Sequence, residues 1–359
     1  MSYIKGFNGL RSYSILLVIV THLGIAHSLE SGSYMKERVF YFFSGPAGVN
    51  IFFALSGFLI THLILKEIQR YGHFNIKNFF ARRFIRLLPP IIPFYLALFI
   101  FMQLGYVRET YLGLLASVFY LYNFVPKAKI LWSTELSHTW SLAVEEQFYL
   151  IWAFFYRFLS RKQIMIWIII LLLACIAANY IWPIIPVTIK GETYTLDQIA
   201  FIKRWIIPAM GPILLGALFA ILNHYHFDKV KARFSSQLSL VLGFLVLCSP
   251  FYIPGFLLPL KAMTHALGAV FILVWVYHNQ ESKFVRILEW GPLRYIGVIS
   301  YSLYIWQGFF VRTSSTITPK IWVHDFPFNV VLTFVVAILS YELYEKHVLK
   351  LKKRFSAGK

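Results

Sequence analysis

Residues 139–159 read TWSLAVEEQFYLIWAFFYRFL, and this stretch decides how the chain must fold. A helix of that length is about 30 Å long, the thickness of a bilayer's hydrocarbon core. Glu145 and Glu146 stand near its middle. A carboxylate at that depth costs at least about 2.5–3.5 kcal/mol on insertion scales. Adjacent residues point about 100° apart on a helix, so both can avoid lipid only if the helix lines an interior chamber. The pair therefore predicts a polar chamber inside a membrane domain.

Apolar stretches of about 20 residues recur on both sides of this segment. Ten are read as spans: 12–29, 44–65, 88–107, 139–159, 163–184, 205–223, 237–254, 259–277, 295–314 and 328–346. The expected fold is an all-α polytopic membrane protein with about ten transmembrane helices. Residues 1–349 form one transmembrane domain, and 350–359 a basic cytoplasmic tail. The first span is long, carries His22 and His27, and lacks a small-residue cleavage site, so it reads as a helix of the mature protein.

Charge orients the chain. With the N-terminus in the cytoplasm, 23 of the 34 Lys and Arg residues fall on the inner side. That is the bias of cytoplasmic loops, and ten spans put both termini there. The count also bears on residues 111–124 (YLGLLASVFYLYNF). Making them a span would carry the basic tail outside, so they read as re-entrant or interfacial.

The net charge of +19 is scattered over loops flanking helices. It fits topology and anionic headgroups and excludes a nucleic-acid partner; the bilayer itself is the first partner. Cys175 and Cys248 both lie in apolar spans, at no metal-ligand spacing. They read as packing residues, and no metal site is expected. No internal repeat is visible.

Arg11 and His22 are eleven residues apart, which returns a helix to within about 20° of the same face after a rise of about 16 Å. One face of the first helix thus carries a guanidinium at the inner surface and an imidazole near the midplane. Glu145 enters from the outer side, about 9 Å below Thr139, so His22 and the Glu145/Glu146 pair can share a depth. A histidine there can take a proton from a hydroxyl, and a carboxylate can orient it. The plainer reading of His22 is a neutral interhelical hydrogen bond. Residues 79–89 (FFARRFIRLLP) are basic and amphipathic, with Arg83 and Arg86 on neighbouring parts of one face. Arginine forks suit phosphate, though such a segment also serves as a topology anchor.

Six stretches in order resemble the acyltransferase 3 family of integral membrane acyltransferases. GFNGLRSYSILLVIVTHLG (6–24) resembles its opening, in which a basic residue and a histidine are separated by ten positions; here they are Arg11 and His22. GVNIFFALSGFLIT (48–61) resembles the second-helix signature, with Asn50 where the family has Asp. RRFIRLLPP (82–90) carries the Arg-x-x-Arg element as Arg83 and Arg86. HTWSLAVEEQFYLIW (138–152) resembles the central signature, with Trp140, Ser141, Glu145, Glu146 and Tyr149. ISYSLYIWQ (299–307) and SYELYEKHVL (340–349) resemble the last two helices, with Gln307 where relatives often have His. Relatives often carry a further extracytoplasmic hydrolase-like domain; this chain resembles the stand-alone type.

The resemblance implies transfer of an acyl group, commonly acetyl, from cytoplasmic acyl-CoA to a hydroxyl of a cell-surface or membrane-linked carbohydrate or glycolipid. Acyl-CoA is then a donor substrate, and no permanently bound cofactor is expected. Localisation would be the inner (plasma) membrane. On this reading Arg11, Arg83 and Arg86 hold the CoA phosphates. His22 acts as general base or forms an acyl-histidine, and Glu145 or Glu146 orients it. Trp140, Tyr149, Tyr301, Tyr304 and Asn50 are candidates for the acceptor side. For the aromatics, an interfacial belt or core packing is the plainer role. His27, His62, His138 and His265 receive no role. The rival class is a proton-coupled multi-pass transporter or exporter, in which His22 and the glutamates form a relay. A non-catalytic scaffold leaves the cost of Glu145 and Glu146 unexplained. Nothing in the sequence speaks to oligomeric state.

Overall fold

The computed structural model describes residues 3–23, 44–107, 110–126, 135–189, 192–251, 254–311 and 322–355. Helices dominate. We label α1 Phe7–His22, α2 Gly45–Tyr71, α3 Ile76–Gln103, α4 Tyr111–Val118, α5 Thr139–Phe158 and α6 Arg161–Ile181. After a short hairpin come α7 Gly211–Tyr225, α8 Gln237–Cys248, α9 Lys261–His278, α10 Gly291–Val298, α11 Ser300–Phe310 and α12 Phe328–Ser340.

The boundaries follow local chemistry. Ser44 caps α2 by accepting the Ala47 amide, and Pro46 occupies its first turn. Gly72 ends α2 at φ 75°, a left-handed position that glycine takes without strain. Asn75 caps α3 through the Asn78 amide. Ser160 and Gln163 form a reciprocal capping box at the start of α6.

Helix α2 is the centre of the assembly and packs on α1, α7 and α9. In its most apolar stretch 72% of residues are buried, against 28% in α3 and 22% in α6. Those two helices turn apolar side chains such as Leu96, Ile100, Ile169 and Leu173 outward, as lipid-facing helices do. Backbones touch where α2 meets α7. A Cβ on Gly57 would lie 1.9 Å from the Ile213 carbonyl oxygen, and one on Gly216 would lie 2.0 Å from that of Ala54. Small residues serve membrane helix pairs by permitting this approach. Gly57→Val will force the pair apart. We expect a loss of about 3 kcal/mol, the upper end of ordinary overpacking, because the obstacle is backbone. A thermal midpoint in detergent equal to that of wild type would contradict the packing.

Among the described residues five helices are long and apolar enough to cross a membrane, or six if the bent pair Phe227–Phe234 and Gln237–Cys248 counts as one span. The protein is thus a multi-pass membrane protein. Each of the ten expected spans contains helix, but several are interrupted. The span at 205–223 breaks at Met210, between Ile206–Ala209 and α7, where Pro208 and Pro212 interrupt the hydrogen-bond ladder. The span at 295–314 breaks at Ile299, between α10 and α11. The last span continues past Ser340 as a π-helical turn, Tyr341–Glu345. Residues 24–29 of the first span, and His27, lie outside the described residues. Residues 111–124 form the eight-residue α4 and a 3-10 turn, too short to cross a bilayer.

One feature departs from the all-α expectation. Pro186–Ile189 and Glu192–Thr195 pair as a small antiparallel hairpin, so the chain is not purely helical. Lys350–Phe355 forms a 3-10 segment packed on α3, and the Phe355 carbonyl accepts a 2.9 Å hydrogen bond from Arg82 Nη1.

Candidate active site

Arg11, Arg83, Arg86 and Glu145 come together. They line one small chamber, about 100 Å³, between α1, α2, α3, α5 and α11. Ser56, Ser141, Tyr149, Ser300, Tyr301 and Tyr304 complete its polar wall, and apolar side chains, mostly from α2, supply the rest. Helix phase explains the grouping. Arg83 and Arg86 are one turn apart on α3, Glu145 and Tyr149 one turn apart on α5, and Tyr301 and Tyr304 one turn apart on α11.

Arg83 is the hub. Its guanidinium lies 3.5 Å from Glu146 Oε1 and 3.9 Å from Glu145 Oε1, and sits 3.4 Å from the centre of the Tyr149 ring. Tyr149 donates to Glu145, and Ser56 bonds both of them. The two glutamates thus avoid lipid by sharing one cation. Arg11 and Arg86 have no carboxylate within 4 Å among the described residues. The Arg83 Nε and the Tyr301 hydroxyl are buried without a hydrogen-bond partner among the described residues. Buried donors in that state leave positions for an incoming acceptor.

His22 stands apart. The structure does not join it to Glu145 or Glu146, because Arg83 lies between α3 and α5 and draws both carboxylates. His22 Nδ1 instead lies 2.8 Å from Gln307 Oε1. Since that oxygen accepts, Nδ1 carries the proton, and in the neutral ring Nε2 keeps its lone pair. Gln307 follows Tyr304 by one turn on α11, so the helix that walls the chamber also holds the histidine. Tyr304 is itself fixed, bonded to Ser141 Oγ at 2.5 Å and donating to the His138 carbonyl at 2.9 Å.

Two candidates lie elsewhere. Asn50 does not line the chamber; its amide is 3.3 Å from His265 Nδ1. Trp140 packs against Phe53 and has the Arg204 guanidinium 5.4 Å from its ring. Sequence reasoning missed Ser56 and the partnership of Gln307. The family's habit of histidine at position 307 was the available signal, since it marks a place where a polar group is wanted.

A wider cleft of about 880 Å³ adjoins the chamber and shares Ile60, Leu63, Arg83 and Arg86 with it. Lys66, Arg70, Arg82, Lys352 and Lys353 also line this cleft, and among the described residues Glu67 is its one carboxylate. No cluster of metal-ligating side chains occurs among the described residues.

Comparison with known proteins agrees with these motifs. The peptidoglycan O-acetyltransferase OatA of Listeria monocytogenes is 28% identical over 377 residues, covering 97% of this chain and 56% of that protein. The putative peptidoglycan O-acetyltransferase YrhL of Bacillus subtilis is 29% identical, over 96% of this chain and 55% of its own length. The O-acetyltransferase OatA of Staphylococcus aureus is 26% identical over 97% and 57%. The chain therefore spans about half the length of the curated relatives it matches. No solved structure matches. The acyltransferase domain profile matches residues 4–344, nearly the whole of the described structure, and the chain belongs to that acyltransferase 3 family.

Proposed function

We propose that this chain is a membrane O-acyltransferase. It moves an acyl group, commonly acetyl, from cytoplasmic acyl-CoA to a hydroxyl of a cell-surface carbohydrate. The relatives' names point to peptidoglycan as the acceptor. The observation that carries the reading is the convergence of Arg11, Arg83 and Arg86 on one chamber that opens into a basic cleft. Such a cavity suits a ligand whose charge sits at one end and whose reactive group sits at the end of a narrow neutral arm. Acyl-CoA has that form. Ten crossings of the plasma membrane, with both termini cytoplasmic, would set the cleft on the donor side, in keeping with the bias of Lys and Arg.

The residues divide the work. Arg11, Arg83 and Arg86 bind phosphate, and Arg83 is held in place by Glu146, Glu145 and the face of Tyr149. The glutamates are positioning residues that act through Arg83. His22 offers the Nε2 lone pair. As general base it takes the acceptor's proton while the oxygen attacks the thioester carbonyl; the C–S bond breaks and the thiolate recovers the proton. By the covalent route Nε2 itself attacks the thioester carbonyl and the thiolate leaves; the acceptor oxygen then takes the acyl group, the acyl–Nε2 bond breaks and the hydroxyl's proton passes to the thiolate. Both routes need the ring held as Gln307 holds it.

The test is whether the purified protein in detergent binds acetyl-CoA and slowly hydrolyses it. An acyltransferase does both. An exporter does neither, and absence of both in folded protein would replace this reading by transport.

A further inference from the structure

The C-terminal segment is built into the basic cleft in a way that topology alone does not require. Lys350–Phe355 leaves the last helix and turns back onto α3. Arg82 clamps it. One guanidinium nitrogen donates to the Phe355 carbonyl at 2.9 Å, and the other bonds Glu67 Oε2 at 2.8 Å. Glu67 is fixed in turn, its side chain only 6% exposed and its Oε1 accepting the Asn75 amide at 2.9 Å. The clamp places Lys352 and Lys353 in the wall of the cleft, beyond Arg83 and Arg86 as seen from the chamber.

This arrangement gives the cleft an excess of positive charge. Among the described residues seven cationic side chains line the cleft against one carboxylate, Glu67, which Arg82 occupies; Arg83 is paired on the chamber side with Glu146 and Glu145. Lys352 and Lys353 have no carboxylate within 4 Å among the described residues. Holding like charges together in a concave, partly desolvated site raises its potential and favours a polyanion. A topology anchor points its lysines to headgroups; Lys352 is instead half-buried in a cleft of about 880 Å³. That volume lies within the range of about 300–1,000 Å³ usual for small-ligand sites.

We infer that the C-terminal 3-10 segment is the outer wall of a nucleotide site, with Lys352 and Lys353 contacting the phosphates at the far end of the donor. The inference rests on the acyl-CoA reading above and deepens it. Arg83 and Arg86, at the junction with the chamber, take the phosphates nearest the pantetheine arm. Lys352 and Lys353 take those farthest from it, which in CoA is the ribose 3′-phosphate. The tail then confers preference for CoA over its 3′-dephospho form.

The test uses the full chain in zwitterionic nanodiscs, titrated with CoA and with 3′-dephospho-CoA. Wild type should bind CoA the more tightly. The double variant Lys352→Gln, Lys353→Gln should lose about tenfold in CoA affinity, or about 1.4 kcal/mol. It should bind dephospho-CoA nearly as wild type does, so that the preference collapses. The variant Lys352→Arg, Lys353→Arg, which keeps both charges, should retain the preference, and matched melting curves exclude misfolding. If the glutamine pair binds CoA as tightly as wild type while Arg83→Gln does not, the tail inference is overturned and the donor reading stands. If wild type binds neither ligand, both fall. If the glutamine pair changes only the response to added phosphatidylglycerol, the lysines serve lipid and the inference is overturned.

Discussion

His22→Ala will lower acyl transfer by at least about a hundredfold, because a positioned proton-transfer group contributes about 10²–10⁴-fold. Donor affinity should stay within about twofold of wild type. His22 does not line the chamber, and its hydrogen bond is to Gln307, not to the arginines. The thermal midpoint should hardly move, since the half-buried ring gives up one neutral hydrogen bond, about 0.5–1.5 kcal/mol. Loss of turnover with intact binding and folding is the signature to look for. Retained turnover at matched expression would remove His22 from the chemistry and favour the relay of a transporter.

Arg83→Gln should be more damaging still, because it acts on stability and on binding together. The substitution leaves Glu145 and Glu146 adjacent with no cation within 4 Å among the described residues. Breaking a fully buried pair costs about 3–5 kcal/mol. The side chains here are 13%, 25% and 18% exposed for Arg83, Glu145 and Glu146, so the loss should fall toward the lower end. CoA affinity should fall as well. The double variant Arg83→Gln, Glu146→Gln separates the two effects. It removes the stranded charge and should recover most of the thermal stability, while CoA binding stays lost. Recovery of both would mean that Arg83 serves only to neutralise the glutamates. Unchanged CoA binding in the single variant would take the arginine out of the donor site.

The cost of Glu145 and Glu146 was legible in advance, because it follows from depth alone, and the chamber it demands is present. Arg11, Arg83 and Arg86 were legible as candidates through family motifs; that they share one wall needed the packing of α1 on α2 and of α5 on α3. What orients His22 was not legible. Glu145 looked nearer in depth, but depth says nothing about rotation, and the partner proved to be Gln307, 285 residues away in sequence. The break at Met210 follows from Pro208 and Pro212, whose cost is visible in sequence but easily outweighed by apolar length. The hairpin at 186–195 rests on two four-residue strands, below the length at which alternation is a strong signal. Lys352 and Lys353 were legible only as part of a basic tail. Only the clamp from Arg82 reveals which way the segment turns.

The central claim is that an acyl group passes from a cytoplasmic thioester, through the arginine-lined chamber, to a carbohydrate hydroxyl. It is tested most directly with labelled acetyl-CoA supplied to the cytoplasmic face of isolated membranes, followed by counting label in the glycan fraction. Wild type should incorporate label, and His22→Ala and Arg83→Gln should not, at matched expression. Equal incorporation by all three, or none by wild type with its acceptor present, would contradict the account.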